Sequence, residues 1–518
     1  MTMDFVCERG TPLVQTTGGA VRGYRYRGLD IFKGVPYARA RRFHAPEPAR
    51  WQGTLDATSY GCVCPLLRLG KPSGELLVPH RYWVQDEDCQ NLNLWTPACD
   101  GARRPVLVWL HGGGYTDGSS IEQLAYEGGA LARWGGCVVV SLNHRLNLLG
   151  YLDLSDFGPE YENSGNNGGS DIIAALQWLR DNVAAFGGDP DNVTVFGQSG
   201  GGAKITTLLQ TPAADGLYHK AVILSGILPA HLPDARGSGR PCVEAMMREL
   251  GVTDVRALET LPYAMLAEAY SKVVPALAAE GVNVGRTPHR NAFYLGDPME
   301  VGFRPETLDV PLVAGSVFGE FMAFGGLGLD RAAMSAADGR AAVERWLGPD
   351  AAAELLPLFA GAYPDRNPAD LLFADTDCRL PTLDYLRRRA AAGGRVYNYL
   401  FDLDFPLEGG RVAWHCADIP FFFHNTDLVP IAQIPGVTQR LQTEMAGALL
   451  AFAATGSPNA GGLPAWPALT AGEEATLCYG AQTRVCRGFD RAFLEAFAPY
   501  TAELNRRVFQ AMQVEMQH

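Results

Sequence analysis

The chain has 518 residues, of which 47% are hydrophobic and 19% charged, enough apolar mass to bury a large core and to exclude intrinsic disorder. Its 43 basic and 56 acidic residues leave a formal charge of −13, which argues against a protein that grips phosphate backbones or anionic membranes. No stretch approaches the roughly 18–20 apolar residues needed to cross a bilayer, so no membrane span is expected. Met1-Thr2-Met3-Asp4-Phe5-Val6-Cys7-Glu8-Arg9 carries acids where an export signal needs an apolar run, and a cytoplasmic location is the expectation. Eleven cysteines, an odd and sparse set, point to reduced thiols. Cys62-Val63-Cys64 has no second Cys pair or spaced His pair beside it, so no metal site is expected.

In chain order, Val106-Leu107-Val108-Trp109-Leu110 and Cys137-Val138-Val139-Val140-Ser141-Leu142 are continuously apolar and β-branched, as strands buried on both faces of a parallel sheet are. The first runs into Leu110-His111-Gly112-Gly113-Gly114-Tyr115, where three glycines cost backbone entropy and need a reason, such as N–H groups that must approach a reacting oxygen. From Ser170 to Phe186 the apolar residues Ile172, Leu176, Leu179, Val183 and Phe186 mark one helix face; Ser170 and Asp171 offer N-cap chemistry and Gly187-Gly188 a stop. Val193-Thr194-Val195-Phe196 is a further buried strand, followed at once by Gly197-Gln198-Ser199-Gly200-Gly201 and a helical run through Leu209. A G-x-S-x-G between strand and helix puts the serine at the apex of a sharp turn; glycines on either side relieve clashes, and the helix start aims free N–H groups at any anion beside it.

Residues 228–309 and 330–395 are rich in Ala, Leu and Glu and read as helical excursions that either roof a cleft or cover a sheet face. There is no linker, charge block or fixed-period repeat, so residues 1–518 are expected to form one α/β domain with helices on both sheet faces.

These motifs together resemble the type-B carboxylesterase family of α/β-hydrolases. Phe32-Lys33-Gly34-Val35-Pro36-Tyr37-Ala38 is similar to its F-x-G-I-P-Y-A, Glu87-Asp88-Cys89-Gln90-Asn91-Leu92-Asn93-Leu94 to its E-D-C-L-x-L-N-V, and Asn143-His144-Arg145-Leu146 with Gly150-Tyr151-Leu152 to its N-Y-R-L…G-F-L. Gly187-Gly188-Asp189-Pro190 matches the approach to the elbow, and Phe452 to Asn459 with Trp466-Pro467 resembles the closing F-A-x-T-G-x-P-N…W-P. The resemblance implies the α/β-hydrolase fold, a large mostly parallel sheet, and ester hydrolysis by a Ser–His–Glu triad without a cofactor. Ser199 is then the nucleophile, with oxyanion donors on Gly113, Gly114 and Gly200. In α/β-hydrolases the acid and then the histidine follow the serine. Of His415, His424 and His518, His415 in Ala413-Trp414-His415-Cys416-Ala417-Asp418-Ile419-Pro420 resembles the family's H-x-x-E-I-P-Y loop, with Asp418 in place of its glutamate. Glu320, at the family's spacing from Gly315, is the implied acid; Asp375, Asp377, Asp402 and Asp404 compete by chain order.

Departures from the family pattern are Gln198 for Glu, Gly200 for Ala, Ile172 for Gln and Asn147 for Gly. Secreted relatives bond a cysteine near Cys62 or Cys64 to the one at Cys89; free thiols are expected here. Trp83, Tyr115, Phe318, Phe321 and Phe324 flank motif positions and are candidates for an apolar substrate pocket. The partner implied is a small-molecule ester, taken by a monomer or small homo-oligomer with no nucleic acid. An amidase, lactonase or acyltransferase using the same triad is the alternative function, and a non-catalytic binding protein on this fold a remote one.

Overall fold

The alternation of buried strands and amphipathic helices is realised in a computed structural model that describes residues 5–6, 12–68, 76–227, 236–324 and 327–515. Cys7, His518, most of the segment read for an export signal and the first residues of the 228–309 excursion lie outside them. The chain divides into two interleaved units, Met1–Ser73, His80–Val222 and Pro229–Val310 in one, Gly74–Pro79, Ile223–Leu228 and Pro311–His518 in the other.

In the first unit the strand order is Phe5–Val6, Tyr24–Tyr26, Leu29–Pro36, Asn91–Thr96, Val138–Leu142, Arg104–Leu110, Gly188–Gln198, antiparallel up to Val138–Leu142 and parallel beyond it. Val138–Leu142 is buried throughout and Arg104–Leu110 from Val106 onward, as the uninterrupted Val/Leu runs require of strands covered on both faces. In the parallel register Leu107 lies opposite Thr194 and Leu110 opposite Gly197. The two segments that follow, His111 onward and Gln198 onward, therefore leave neighbouring strands side by side at the same end.

The helix read from Ser170 starts three residues earlier, spanning Asn167–Asn182, and continues as a 3-10 turn Val183–Phe186 that ends at Gly187 with φ +80°. Asp171 is thus not its cap. It is fully buried and takes Arg145 as a bidentate partner, with Nε and Nη2 donating at 2.8 and 2.7 Å, while the Arg145 backbone N–H donates at 3.0 Å. Arg145 also donates from Nη1 to the carbonyl of His44 at 2.8 Å. The Asn-His-Arg motif is therefore a structural clamp whose charges are paired inside the core.

Helices Arg240–Leu250 and Tyr263–Ala279 occupy the first excursion and pack on each other around Cys242, Val243, Met246, Leu266, Tyr270 and Val274. In the second unit Leu312–Val317, Val396–Phe401 and Ala475–Tyr479 are parallel neighbours, with Arg484–Arg487 antiparallel at the end. Helix Arg379–Ala391, from the second excursion, packs on the first two of these strands and so covers a sheet face. Its Arg379 is buried and donates to Asp490, Asn398 and Thr476. Among the described residues no helix is long and apolar enough to cross a membrane.

Removing one partner of a buried ion pair leaves the other uncompensated, at a cost of about 3–5 kcal/mol. Asp171→Ala is expected to lose that much unfolding free energy in urea titrations, whereas an exposed pair such as Arg180–Asp181 contributes little when Asp181 is changed to Ala.

Candidate active site

Ser199 stands between strand Gly188–Gln198 and helix Gly200–Leu209 with φ +56° and ψ −126°, a conformation unfavourable for a side-chain-bearing residue and maintained by its surroundings. The glycines about it are dictated by close packing. A Cβ on Gly201 would lie 2.0 Å from the carbonyl oxygen of Leu110, and one on Gly197 2.7 Å from the carbonyl carbon of Gly201. A Cβ on Gly200 would fall within 2.4 Å of the backbone N, Cα and O of Gly114. The glycine loop thus lies directly against the turn that carries the serine, and the family's usual alanine at 200 has no room here. Where Gly112 faces the turn, a Cβ would be 3.4 Å from that of Ser199.

The loop is fixed from behind. The N–H of Asp117 donates to the Gly113 carbonyl at 2.9 Å, and that of Asn147 to the Tyr115 carbonyl at 2.8 Å. Asn147 has φ +48°, a left-handed position that asparagine tolerates, and its side-chain amide donates to the carbonyls of Pro65 at 2.9 Å and Thr116 at 3.2 Å. Asparagine is thereby accommodated where the family has glycine, and its amide bridges Thr116, beside the loop, to Pro65. Gly113 is exposed and Gly114 half-buried. An open cleft of about 980 Å³ begins at Gly114–Asp117 and runs along Tyr270, Val274, Pro275 and Ala278 of helix Tyr263–Ala279. The first excursion therefore walls a cleft.

In the second unit Glu320 follows strand Leu312–Val317 and is fully buried with φ +38°. Its Oε2 accepts from Nδ1 of His415, and its Oε1 accepts from Ser225 Oγ at 2.6 Å and the N–H of Val317 at 2.9 Å. The two loops are also joined through the backbone, His415 N–H to the Glu320 carbonyl at 3.1 Å and Gly319 N–H to that of Ala413 at 2.9 Å. Carboxylate and imidazole are held by these five contacts, the arrangement that fixes a tautomer and ring orientation. Asp418 lies just beyond, fully buried, its Oδ2 accepting from Tyr399 Oη at 2.7 Å. Burial, with the charge of Glu320 adding to it, pushes its carboxyl up to about 7.

Of the competing acids, Asp402, Asp404 and Asp375 have partners of their own. Asp402 pairs with Arg484, and Asp404 with Arg331 and Arg366; Asp375 accepts the N–H groups of Cys378 and Arg379, both at 2.8 Å. His424 lies at the end of helix Ile419–Phe422, half-buried.

Of the aromatic pocket candidates, Tyr115 lines the cleft at its loop end, its hydroxyl bonded to Thr207 at 2.8 Å. Phe321 stacks on the His415 ring at 4.2 Å and is 38% exposed, so it presents surface beside the imidazole. Phe324 is half-buried, its carbonyl accepting from Arg411. Trp83 is 40% exposed and stands edge-on to Tyr60. Phe318 is buried between Tyr363 and the Arg366 guanidinium, a core position. Cys62, Cys64 and Cys89 are free thiols, and Cys64 Sγ accepts the N–H of Leu146 at 3.2 Å. Two site residues escaped the sequence reading. Ser225 had only its place after the apolar run Ala221–Leu224 to mark it, and Lys204 was visible as a lone charge within the helix that follows the elbow.

A serine on a strained strand-to-helix turn beside a glycine loop, with a Glu–His pair after later strands, defines an α/β-hydrolase. The carboxylesterase family model matches residues 10–355, and the chain belongs to that family. It is 34% identical over 475 residues to the para-nitrobenzyl esterase of Bacillus subtilis (strain 168), covering 88% of this chain and 92% of that one. It is 35% identical over 503 residues to the phenmedipham hydrolase of Pseudarthrobacter oxydans, covering 90% and 95%. Among solved structures, an esterase from anaerobic Clostridium hathewayi, described as able to hydrolyze aliphatic aromatic polyesters, superposes with a TM-score of 0.94 at 48% identity, over 96% of this chain and 99% of that one. The protein is a carboxylesterase of the α/β-hydrolase fold.

The raised carboxyl of Asp418 makes a stability prediction of definite sign. In the unfolded chain the carboxyl ionises near pH 4, whereas in the fold it holds its proton to about 7. Its contribution is fully present below pH 4 and is lost as pH rises through 7. Asp418→Asn, which cannot ionise, is expected to gain Tm relative to the unaltered protein between pH 5 and pH 8 in calorimetry; a constant difference across that range contradicts the assignment.

Proposed function

We propose that the enzyme hydrolyses carboxylic esters through an acyl-enzyme, with Ser199 as nucleophile, His415 as general base and acid, and Glu320 as the carboxylate that orients it. His415 takes the Ser199 proton as Oγ attacks the ester carbonyl carbon, and returns it to the departing alkoxide as the tetrahedral intermediate collapses. Water then attacks the acyl carbon by the same route, its proton passing to His415 and on to Ser199 Oγ, which releases the acid. The backbone N–H groups of Gly113, Gly114 and Gly200 receive the oxyanion, each such donor supplying about 2.7–4 kcal/mol in the transition state.

The observation that carries this reading is the packing of Gly114 against Gly200, which brings the backbones of two separate segments, the glycine loop and the serine turn, into direct contact. The buried Glu320–His415 pair with its Ser225 support favours the roles given to those two residues. The cleft beside Gly114, walled by Tyr270, Val274 and Pro275, suits esters with a sizeable apolar acyl or alcohol part, in keeping with the aromatic esters and polyesters that the relatives' descriptions mention. The ten free cysteines among the described residues favour a reducing compartment.

Ser199→Ala is expected to reduce hydrolysis of p-nitrophenyl butyrate to the enzyme-free rate without lowering Tm, and a fluorophosphonate is expected to add its mass to the peptide containing Ser199. Turnover by the variant above background, or an adduct on another residue, refutes the assignment.

A further inference from the structure

Lys204 is the residue the mechanism leaves unused and the fold makes expensive. It lies on helix Gly200–Leu209, is 1% exposed, and donates from Nζ to the backbone carbonyl of His111 at 2.9 Å. Side chains on a helix lean toward its N-terminus, so the ammonium is carried back toward the elbow, to the first residue of His111-Gly112-Gly113-Gly114. A buried charge is retained only where it has partners or a task. The groups that face it are the half-buried Glu122, the exposed Asp117, the thiol of Cys64, and the imidazoles of His111 and His144, which stack at 4.9 Å. Burial and the Lys204 charge hold both imidazoles well below their ordinary value, so they stay neutral beside it. His111 Nδ1 and His144 Nδ1 each lie 2.9 Å from the carbonyl of the following residue, which fixes the two rings.

We propose that Lys204 is a positioning residue for the oxyanion loop: its ammonium, bonded to the His111 carbonyl, holds His111–Gly114 against the serine turn and adds positive charge behind the amides that receive the oxyanion. The inference rests on the reading of Gly113 and Gly114 as oxyanion donors. A loop of three glycines has little stiffness of its own, and one bond from a cation fixes its base where side-chain packing cannot. A fixed charge in a dry site costs no reorganisation when the substrate carbonyl becomes an anion. Burial, outweighing Glu122 and Asp117, brings the amine down to about 7. The free enzyme therefore loses this charge just above neutrality, and kcat/KM declines on the alkaline side.

The test is a pH-stat assay of ethyl butyrate hydrolysis from pH 5.5 to 9 with the unaltered enzyme, Lys204→Met, which keeps an unbranched side chain one atom shorter and without a donor, and Lys204→Gln, which keeps a neutral donor. Both variants are expected to lose kcat at least tenfold at pH 6.5 with KM within threefold, to show no alkaline decline in kcat/KM, and to melt no lower than the unaltered enzyme at that pH, because a buried charge has been removed. A kcat within twofold of the unaltered enzyme in Lys204→Met, or an alkaline decline that persists in both variants, overturns the proposal. If Lys204→Met does not fold, Lys204→Gln is judged by the same criteria. Loss of the nucleophile assignment would show differently, as turnover surviving in Ser199→Ala.

Discussion

The parallel register that sets Leu110 opposite Gly197 is the constraint on which the candidate site depends. It is a backbone fact, paid for by hydrogen bonds between two strands buried on both faces, and it delivers the glycine loop and the serine turn to the same sheet end without any side chain choosing the arrangement. A slip of one residue would displace Gly201 from the Leu110 carbonyl that only a glycine clears. The short distances around Gly197, Gly200 and Gly201 are the consequence: two chain segments meet backbone to backbone at the turn that carries Ser199. The strain at Ser199 is held by the same packing.

Electrostatics is organised on a similar plan in each unit. Charges with a structural task are paired by geometry, as Arg145 with Asp171 and Arg379 with Asp490. The acids of the candidate site are not matched to an arginine but are held by hydrogen bonds. Glu320 is surrounded by donors from Ser225, Val317 and His415. Asp418, close by, meets the desolvation cost by keeping its proton to about 7, so the buried acids about His415 are not all charged at once.

The departures from the family pattern have local physical reasons. Asn147 replaces a glycine at a left-handed position where asparagine is tolerated, and uses its amide to tie Thr116 and Pro65 together. Gly200 replaces an alanine because the Gly114 backbone comes so near. Ile172 is a buried residue of the helix whose neighbour Asp171 clamps Arg145, and has only packing to perform. Gln198 is buried with its Oε1 toward Gly112, a neutral side chain where the family keeps a carboxylate.

Short-range patterns in the sequence determined a good deal by themselves. Continuous β-branched runs meant strands buried on both faces, and G-x-S-x-G between strand and helix meant a strained elbow, because both follow from sterics within a few residues. The family motifs added the order of the remaining site residues. Only the tertiary structure decided that Asp171 pairs with Arg145 instead of capping a helix, since helix starts shift freely by a turn when a long-range partner rewards it. It also decided that the first excursion walls a cleft while helix Arg379–Ala391 covers a sheet face, that Phe318 belongs to the core and Phe321 stands on the imidazole, and that Ser225 and Lys204 reach the Glu320 carboxylate and the His111 carbonyl. Each of these is a meeting of residues far apart in the chain, and such meetings are set by how strands register and helices pack, which no local run of amino acids encodes.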